Sequence, residues 1–586
     1  MKTSSTPCRG RVAACLLPGL WLLVGTVRPA AAQGWLGLAQ SNYGGTNSAY
    51  LNPSALADPR LRAYLNLGGA DASFNNTCLR LNLPQKPWET GFSFTKDNLV
   101  EQEGSSGPQQ ASATAEVRLP ALMLALGPRV AIAFSSRVRG FAQASGVSYN
   151  LARLARYGLG QADQLGLANQ LLTDNSFNLE ASAYHEFALT YARTFTPNTT
   201  HFFKGGLTLK YLVGLGGGYV RNEGVQYKVL DKNSIELQSR QLSYGLTDYQ
   251  LYGQNGFAVG SLYGGQQLGR GYGADLGLTY EWRPTYQRYH YHMDGQDRPD
   301  DSQNKYRLRL ALALTDLGAL AYNNGQRVRQ GQLANTATKR LSQLDTLTFK
   351  TLQSVESTAR LVALSSMGRE FTTYLPAALR FTADYQVAGH LYAGLVWTQS
   401  LLPARTLGSH TLSLLALTPR LEFSRAELAL PVVWANGYRQ LQVGALVRLG
   451  PLVLGSDNLG GLLGLSSATG ADVYFGLALA LRRHRRPDRD GDGVSNHYDK
   501  CPKKKVPGSP TAAPRPRRPA PRPGPGRLPP CAARSPARCR AQRNAAYTRR
   551  SAARARRSAT YPHLEPQLVE YHFSAFPLFT LFSFLL

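Results

Sequence analysis

One short stretch near the end of the chain has the residue types and spacing of a calcium-binding loop. In "DRDGDGVSNHYDKCP", residues 488–502, four aspartates and an asparagine lie within twelve residues, with Gly493 between them. Numbered as a twelve-residue loop, the oxygen-bearing side chains fall at positions 1, 3, 5, 9 and 12, with a glycine at position 6 and a backbone carbonyl ligand at position 7. Clustered carboxylates repel one another until a divalent cation holds them, so we expect Ca²⁺ to be structural. The predicted ligands are Asp488, Asp490, Asp492, Val494, Asn496 and Asp499.

The loop departs from a helix–loop–helix calcium motif in two ways. Position 12 is aspartate rather than glutamate, and "RRHRRP" (482–487) leads directly into it with no helical pattern. We therefore expect weak affinity, on the order of 10⁻⁴ to 10⁻³ M, as in extracellular modules. The alternative interpretation is an acidic, solvated turn.

Other chemical signals are weaker. "HYHMD" places His290, His292 and Asp294 in a polar loop, which favours a solvated loop over a metal site. "GLGGGYV" (214–220) lacks the lysine and hydroxyl residue of a phosphate loop and fits glycines where a strand bends. No nucleophile–base grouping is visible, so the sequence predicts a protein that is not an enzyme.

The N-terminus has the pattern of an exported protein. A basic start is followed by an apolar stretch (13–26) and by "AAA" at 30–32, which predicts a cleaved signal peptide over 1–32. The apolar stretch is too short for a membrane anchor. The cysteines outside this segment, Cys78, Cys501, Cys531 and Cys539, are too few and scattered for a disulfide scaffold.

The formal net charge of +29 is concentrated near the chain ends. Residues 503–586 contain 17 Lys or Arg against two Glu, a net +15. No basic stripe remains in the middle of the chain, so we expect no nucleic-acid partner. This Pro- and Arg-rich tail has a disordered composition. Its abrupt onset suggests a frameshifted or degenerate end.

The middle of the chain, 33–483, repeats strands of about ten residues with alternating character. In 272–283 the apolar face ends in aromatic residues, and 306–315 and 379–387 repeat the alternation. This pattern predicts an all-β fold, a transmembrane antiparallel β-barrel with apolar residues toward lipid and polar residues toward the lumen. The predicted lipid-facing residues of the first two strands are Tyr272, Ala274, Leu276, Leu278, Tyr280, Trp282, Tyr306, Leu308, Leu310, Leu312 and Leu314.

We expect about 14 strands, with 12 to 16 compatible with the pattern, because transmembrane barrels usually have even numbers. Turns are visible at 126–129, 196–201 and 387–390. Two inserts, 151–173 and 339–368, are too long for turns and are predicted to be helical loops or an inward-folded plug.

The segment "NYGGTNSAYLNPSALADPR" (42–60) resembles the opening of an uncharacterised family of Gram-negative outer-membrane barrels, distantly similar to fatty-acid-transporter-type barrels. Residues 202–220, 306–320 and 455–464 resemble the same family. The resemblance implies a barrel in the outer membrane, with membrane lipid as its surroundings. The resemblance implies no catalytic residue in this chain.

The stretch 484–502 resembles a thrombospondin type-3 repeat, which in outer-membrane proteins links a barrel to an OmpA-like domain that grips peptidoglycan. Residues 503–586 contain no such domain pattern, so peptidoglycan is an expected partner only if a lost domain is restored. The leading hypothesis is a non-enzymatic outer-membrane barrel with a calcium-binding linker and a structural or envelope-tethering role, together with other envelope proteins. The alternative is a transporter or porin for a small or apolar solute.

Overall fold

The structure is a computed structural model. It describes residues 35–499 except 59, 83–88, 90–97, 103–106, 197–198, 239–240, 249–266, 334–337, 342–363, 404, 412 and 464–467. The predicted signal peptide 1–32 and the tail 503–586 lie outside the described residues. No helix within the described part of the chain is long and apolar enough to cross a membrane.

Fourteen antiparallel strands form a closed barrel, which confirms the predicted fold and strand number. The last strand pairs with the first over Leu61↔Arg482 to Asn75↔Gly470, so the sheet has no open edge along this seam. The barrel strands are β1 Leu61–Asn76, β2 Gln109–Arg118 with Ala121–Ala125, β3 Val130–Val147, β4 Leu171–Thr194, β5 His201–Asp231, β6 Gly269–Trp282, β7 Leu308–Tyr322 with Val328–Leu333, β8 Leu364–Gly368 with Phe371–Tyr374 and Ala378–Ala388, β9 Leu391–Ser400, β10 Leu414–Glu422, β11 Ala426–Ala429 with Val432–Ala435, β12 Gln440–Val443 with Ala445–Leu449, β13 Leu452–Ser456 and β14 Gly470–Arg482.

The remaining elements are short. The helices are α1 Leu36–Ala39, α2 Thr46–Ala49, α3 Tyr149–Tyr157 and α4 Leu459–Leu462, with 3₁₀ turns at Pro53–Leu56, Leu159–Gln161 and Tyr286–Tyr289. The strand segment Gln241–Thr247 pairs with β5 beyond the end of β6. Other short strands are Leu79–Leu81, Leu99–Glu101, Ser234–Gln238, His290–Met293, Gln296–Pro299 and Lys339–Leu341.

The two faces of the barrel wall differ as the alternation predicts. On β6, Leu278 is 60% exposed, whereas the neighbouring Thr279 and Glu281 are buried toward the lumen. On β14, Phe475 and Leu479 are exposed and alternate with buried residues. An apolar exterior over a polar, buried interior is the arrangement of a barrel that spans a bilayer. The face assignment is therefore confirmed on these strands.

The assignment is wrong at the start of one predicted strand. Tyr306 is buried rather than lipid-facing, because its hydroxyl donates to Asp384 Oδ2 at 2.6 Å in the lumen. Arg307, expected in the lumen, donates instead to the hydroxyl of Tyr385 near the rim. Regular strand β7 begins only at Leu308, so the alternation does not extend back to 306.

The structure describes the first of the two long inserts and only the ends of the second. The first contains α3, but residues 171–173 already belong to strand β4. The described ends of the second, 339–341 and 364–368, are strands, and 342–363 lie outside the described residues. Helix α3 packs through Leu154 against Val225 and Tyr227 of the long strand β5.

The N-terminal residues 35–58, which we call the plug, lie in the lumen. The plug contains α1, α2 and the first 3₁₀ turn and contacts inward-facing residues of strands around the barrel. Its apolar residues Leu36, Leu51 and Leu56 are buried against the wall. The sequence did not predict a plug at this position.

Residues 487–499 form a separate compact unit with 292–296. Within it, the Asp294 amide donates to Gly493 O at 2.9 Å, and the Ser495 amide donates to Asp294 Oδ1 at 2.7 Å. Asp294 therefore holds the middle of the predicted calcium loop, a role that its sequence context did not indicate.

Candidate functional site in the barrel lumen

The plug is fixed to the wall mainly by polar contacts. Ser41 donates to Glu427 Oε2 at 2.6 Å, and the amide of Asn42 donates to Glu422 Oε2 at 3.1 Å. Further along, the hydroxyls of Ser54 and Thr279 lie 2.6 Å apart. Each such bond is worth about 0.5–1.5 kcal/mol net, so the plug is held by many individually weak contacts.

Glycines in the wall make room for the plug. A side chain at Gly206 would place its Cβ 2.5 Å from the backbone of Pro53 and Ser54. A Cβ at Gly277 would lie 2.0 Å from Asn52 Oδ1, and one at Gly394 would lie 1.8 Å from Gln40 Oε1. At Gly206 the contact is with backbone, so a side chain there would displace the plug, whereas at Gly277 and Gly394 the nearest plug side chain would have to shift.

A first group of charges lies beside the plug. Arg420 is 1% exposed and contacts Asp384, Glu422 and Glu427 at 3.1, 3.0 and 3.5 Å. Arg309 contacts Asp384 at 2.9 Å and donates to the carbonyl oxygen of Gln40 in the plug at 2.6 Å. Removing one member of such a group leaves an uncompensated buried charge, which is strongly destabilising.

A second group of charges lies further along the lumen. Lys210 contacts Asp275 at 2.7 Å and Asp316 at 2.6 Å, and Arg137 contacts Glu186 at 2.9 Å. Asp316 sits at a bulge in β7 with a left-handed backbone, φ 56°, and its amide donates to Asp275 Oδ1. The bulge breaks the alternation and turns an extra carboxylate into the lumen.

A loop between β9 and β10, residues 405–411, also folds inward; we call it the inward loop. The amide of Gly408 donates to Glu180 Oε2 at 2.8 Å, and Thr411 donates to the carbonyl of Pro376 at 2.7 Å. Leu407 lies against an apolar cluster that includes Phe371. The inward loop is thus fixed to inward-facing residues of several strands.

The plug and the inward loop border a cavity of about 70 Å³, which we call the chamber. The plug contributes Trp35 and Tyr50, and the inward loop contributes Ser409. Four guanidinium groups and three carboxylates of the wall complete the polar lining. They are Arg118, Arg137, Arg139, Arg380, Asp71, Glu116 and Asp316.

Most charges around the chamber are paired. Arg118 contacts Glu116 at 2.7 Å and lies over the ring of Trp35, 3.7 Å from its centroid. Arg139 contacts Asp316 at 3.1 Å, and Asp71 accepts a hydrogen bond from the Trp35 indole at 2.9 Å. The chamber can therefore receive polar or charged solutes and is unsuited to a purely apolar one.

The predicted calcium loop is brought together in part. One carboxylate oxygen from each of Asp488, Asp490 and Asp492 can lie within 4.8 Å of the others, as a shared cation requires. Asn496 Oδ1 instead accepts a hydrogen bond from the Arg489 amide at 2.9 Å. Calcium binding by this loop stays a prediction.

The pKa values of Asp488 and Asp490 are shifted in opposite directions. Burial alone would raise the pKa of Asp488, but the amides of Gly493 and Gly491 donate to its carboxylate at 2.9 and 2.8 Å and lower the pKa overall. Burial and the charge of Asp492 raise the pKa of Asp490. Asp490 therefore loses its charge before Asp488 does as the pH falls.

A family profile described as a family of unknown function, DUF5723, matches residues 53–457. The chain belongs to this family. The match covers most of the barrel, begins inside the plug and includes the chamber residues from Asp71 to Ser409. No curated protein matches the sequence.

Several solved structures are similar to this DUF5723 protein at low identity. A deltaS2 mutant of the TodX monoaromatic hydrocarbon channel has a TM-score of 0.36 and 10% identity, with 75% of this chain and 95% of that chain covered. The Ralstonia pickettii toluene transporter TbuX has a TM-score of 0.31 and 11% identity, covering 76% and 98%. A Pseudomonas aeruginosa FadL homologue has a TM-score of 0.22 and 10% identity, covering 77% and 99%. At these scores the similarity carries no inference about a solute.

The chamber residues of this DUF5723 protein were missed at the sequence level, although a signal exists. Arg137, Arg139 and Arg380 are charged residues within strands otherwise rich in small and apolar residues. Charges at membrane depth are costly and are retained where they face a cavity or one another. His290 and His292, by contrast, belong to no three-ligand cluster within the described part of the chain.

Proposed function

We propose that the protein is a gated passage for small polar solutes across the outer membrane, in which the plug and the inward loop are the two closures. The apolar exterior of the closed barrel supports a membrane location. The single observation that carries the proposal is the chamber, a charged cavity bordered by two segments that are separate from the wall.

A purely structural barrel has no need of this arrangement. Burying charged groups is costly, and well-packed apolar residues in their place would be neutral or stabilising. The retention of Arg118, Arg137, Arg139 and Arg380 around a cavity therefore favours solute passage over a structural role alone. The polar lining also favours a small polar solute over an apolar one. Of the two kinds of solute considered for a transporter, a small solute and an apolar solute, we therefore propose the small one.

The plug is suited to reversible release. Its polar anchors, such as Ser41 on Glu427 and Asn42 on Glu422, can exchange for water when the plug moves. Its buried leucines oppose release and keep the resting state closed. Together these contacts fit a gate that opens rarely.

The test is solute uptake by proteoliposomes that contain the assembled protein. We compare the intact chain with a variant lacking residues 35–58, a variant in which 405–411 is replaced by a short Gly–Ser link, and the double variant. Small polar solutes should enter slowly through the intact chain and fastest through the double variant. If a correctly assembled double variant admits nothing, the barrel is structural and the proposal is wrong.

A second proposal concerns residues 487–499, which we propose bind Ca²⁺ and stiffen the segment that follows the barrel. The convergence of Asp488, Asp490 and Asp492 supports it. Of the components of the envelope-tethering hypothesis, the loop geometry favours the calcium-binding linker. Calorimetric titration of the full chain with Ca²⁺ tests it, and no heat at millimolar Ca²⁺ would contradict it.

A further inference from the structure

Among the described residues that line the chamber, one cation has no ion-pair partner. Arg380, on β8, is 9% exposed. Among the described residues it forms no ion pair, and its only hydrogen bond runs from Nε to Thr315 Oγ1 at 3.0 Å. The two terminal nitrogens therefore keep donors that no protein acceptor uses. A buried guanidinium in this state costs several kcal/mol unless an anion or water compensates it.

The surrounding carboxylates contact other donors, and among the described residues none of them forms an ion pair with Arg380. Glu116 contacts Arg118 and Arg137, and Asp316 contacts Arg139 and Lys210. The third carboxylate of the lining, Asp71, accepts a hydrogen bond from the Trp35 indole. Of the four guanidinium groups in the chamber, Arg380 alone lacks a carboxylate partner among the described residues.

The chamber limits what can bind to Arg380. A cavity of about 70 Å³ offers roughly five water-sized sites, since one water needs about 10–15 Å³. Apolar side chains, including Leu51 and Phe141, line the same cavity as the guanidinium. A planar carboxylate matches the two terminal nitrogens of an arginine, and a short hydrocarbon group matches the apolar lining.

We propose that Arg380 is the recognition residue for a short-chain carboxylate, about the size of propionate, held in the chamber. The proposal rests on the proposed passage function and names its solute class. Oxygen atoms of the carboxylate would accept hydrogen bonds from Nη1 and Nη2 while Thr315 fixes Nε. The plug residues Trp35 and Tyr50 border the same space, so a bound carboxylate would lie between the wall and the gate.

Equilibrium binding to the purified full chain in detergent tests the proposal, with propionate as the probe and phosphate and chloride as comparisons. Propionate should bind saturably to the wild type. Arg380→Gln should weaken propionate binding at least tenfold. Arg380→Lys keeps the positive charge but loses the paired terminal nitrogens, so it should weaken binding less. Arg193→Gln, an exposed arginine on β4, is the matched control and should bind as the wild type does.

Binding within twofold of wild type in an assembled Arg380→Gln protein would overturn the proposal. Phosphate binding as tightly as propionate would also overturn it, because the site would then select any oxyanion. The uptake assay separates this failure from that of the passage function. If propionate uptake is unchanged by Arg380→Gln, the carboxylate site is refuted and the passage function is not. If propionate binds but the double variant, which lacks both the plug and the inward loop, takes up no solute, the passage function is refuted and the carboxylate site is not.

Discussion

Replacing Gly206 with alanine should release the plug without dismantling the barrel. The new Cβ would lie 2.5 Å from the carbonyl carbon of Pro53 and from the amide nitrogen of Ser54. Both contacts are with backbone, so no side-chain rotation relieves them. The 3₁₀ turn must move away from the wall by roughly an ångström to reach ordinary van der Waals separation.

The size of the effect follows from the contacts that this movement breaks. The 2.6 Å contact between the Ser54 and Thr279 hydroxyls is lost, as are the bonds from Asn52 Nδ2 to Leu278 O and Thr279 Oγ1, both at 3.3 Å. At about 0.5–1.5 kcal/mol for each of these three bonds, the plug should lose about 1.5–4.5 kcal/mol of binding to the wall. Its opening equilibrium should therefore shift by about 10- to 2,000-fold, since each 1.4 kcal/mol is a factor of ten.

Hydrogen–deuterium exchange with mass spectrometry measures this shift directly. Amides of residues 46–58 should exchange faster in Gly206→Ala by that factor, while the barrel strands keep their protection. Gly216→Ala on the same strand is the control, because its Cβ would meet nothing closer than Thr247 Oγ1 at 3.8 Å. Equal plug exchange in the two variants would refute the proposed seating of the plug.

Three further predictions concern the wall, the lumen charges and the calcium loop. Leu278→Arg should impair assembly by about 2–4 kcal/mol if the residue lies near the bilayer midplane, and unchanged heat-modifiable gel mobility would contradict this. Arg420→Met should lower stability by about 3–5 kcal/mol, seen as a fall in unfolding temperature that the exposed Arg62→Met does not share. Asp490→Asn should abolish Ca²⁺ heat and His497→Ala should not. Because the raised pKa of Asp490 makes protons compete, wild-type affinity should fall as the pH is lowered, and a pH-independent affinity would count against the loop.

The barrel could be predicted from the sequence because its signal is local. Alternation along 272–283 places Leu278 outward and Thr279 inward whatever the neighbouring strands are. The same rule fails at Tyr306. Alternation predicts that this side chain faces lipid, but its hydroxyl donates a hydrogen bond to Asp384 and the side chain is buried in the lumen. Local alternation therefore determines faces within strands but not at their ends.

The plug and the chamber could not be predicted in this way, because they depend on distant pairs. Asn52 meets Leu278, 226 residues away, and Gly206 admits Pro53 only once the barrel has closed. Thr279 lies on the polar, lumen-facing side of its strand, where the sequence alone suggests that a large side chain would fit. Because the plug packs against this position, a large side chain is not tolerated there. The missing partner of Arg380 likewise follows from strand register, which the sequence does not specify.

The most direct test of the gate is a reversible lock between plug and wall. The hydroxyl oxygens of Ser54 and Thr279 are 2.6 Å apart, so cysteines at both positions are close enough to form a disulfide. Uptake of a small polar solute by the oxidised double-cysteine protein should fall to the level of empty liposomes and recover on reduction, while Ser54→Cys alone shows no such dependence. If the oxidised and reduced proteins admit the solute equally, the plug is not the gate.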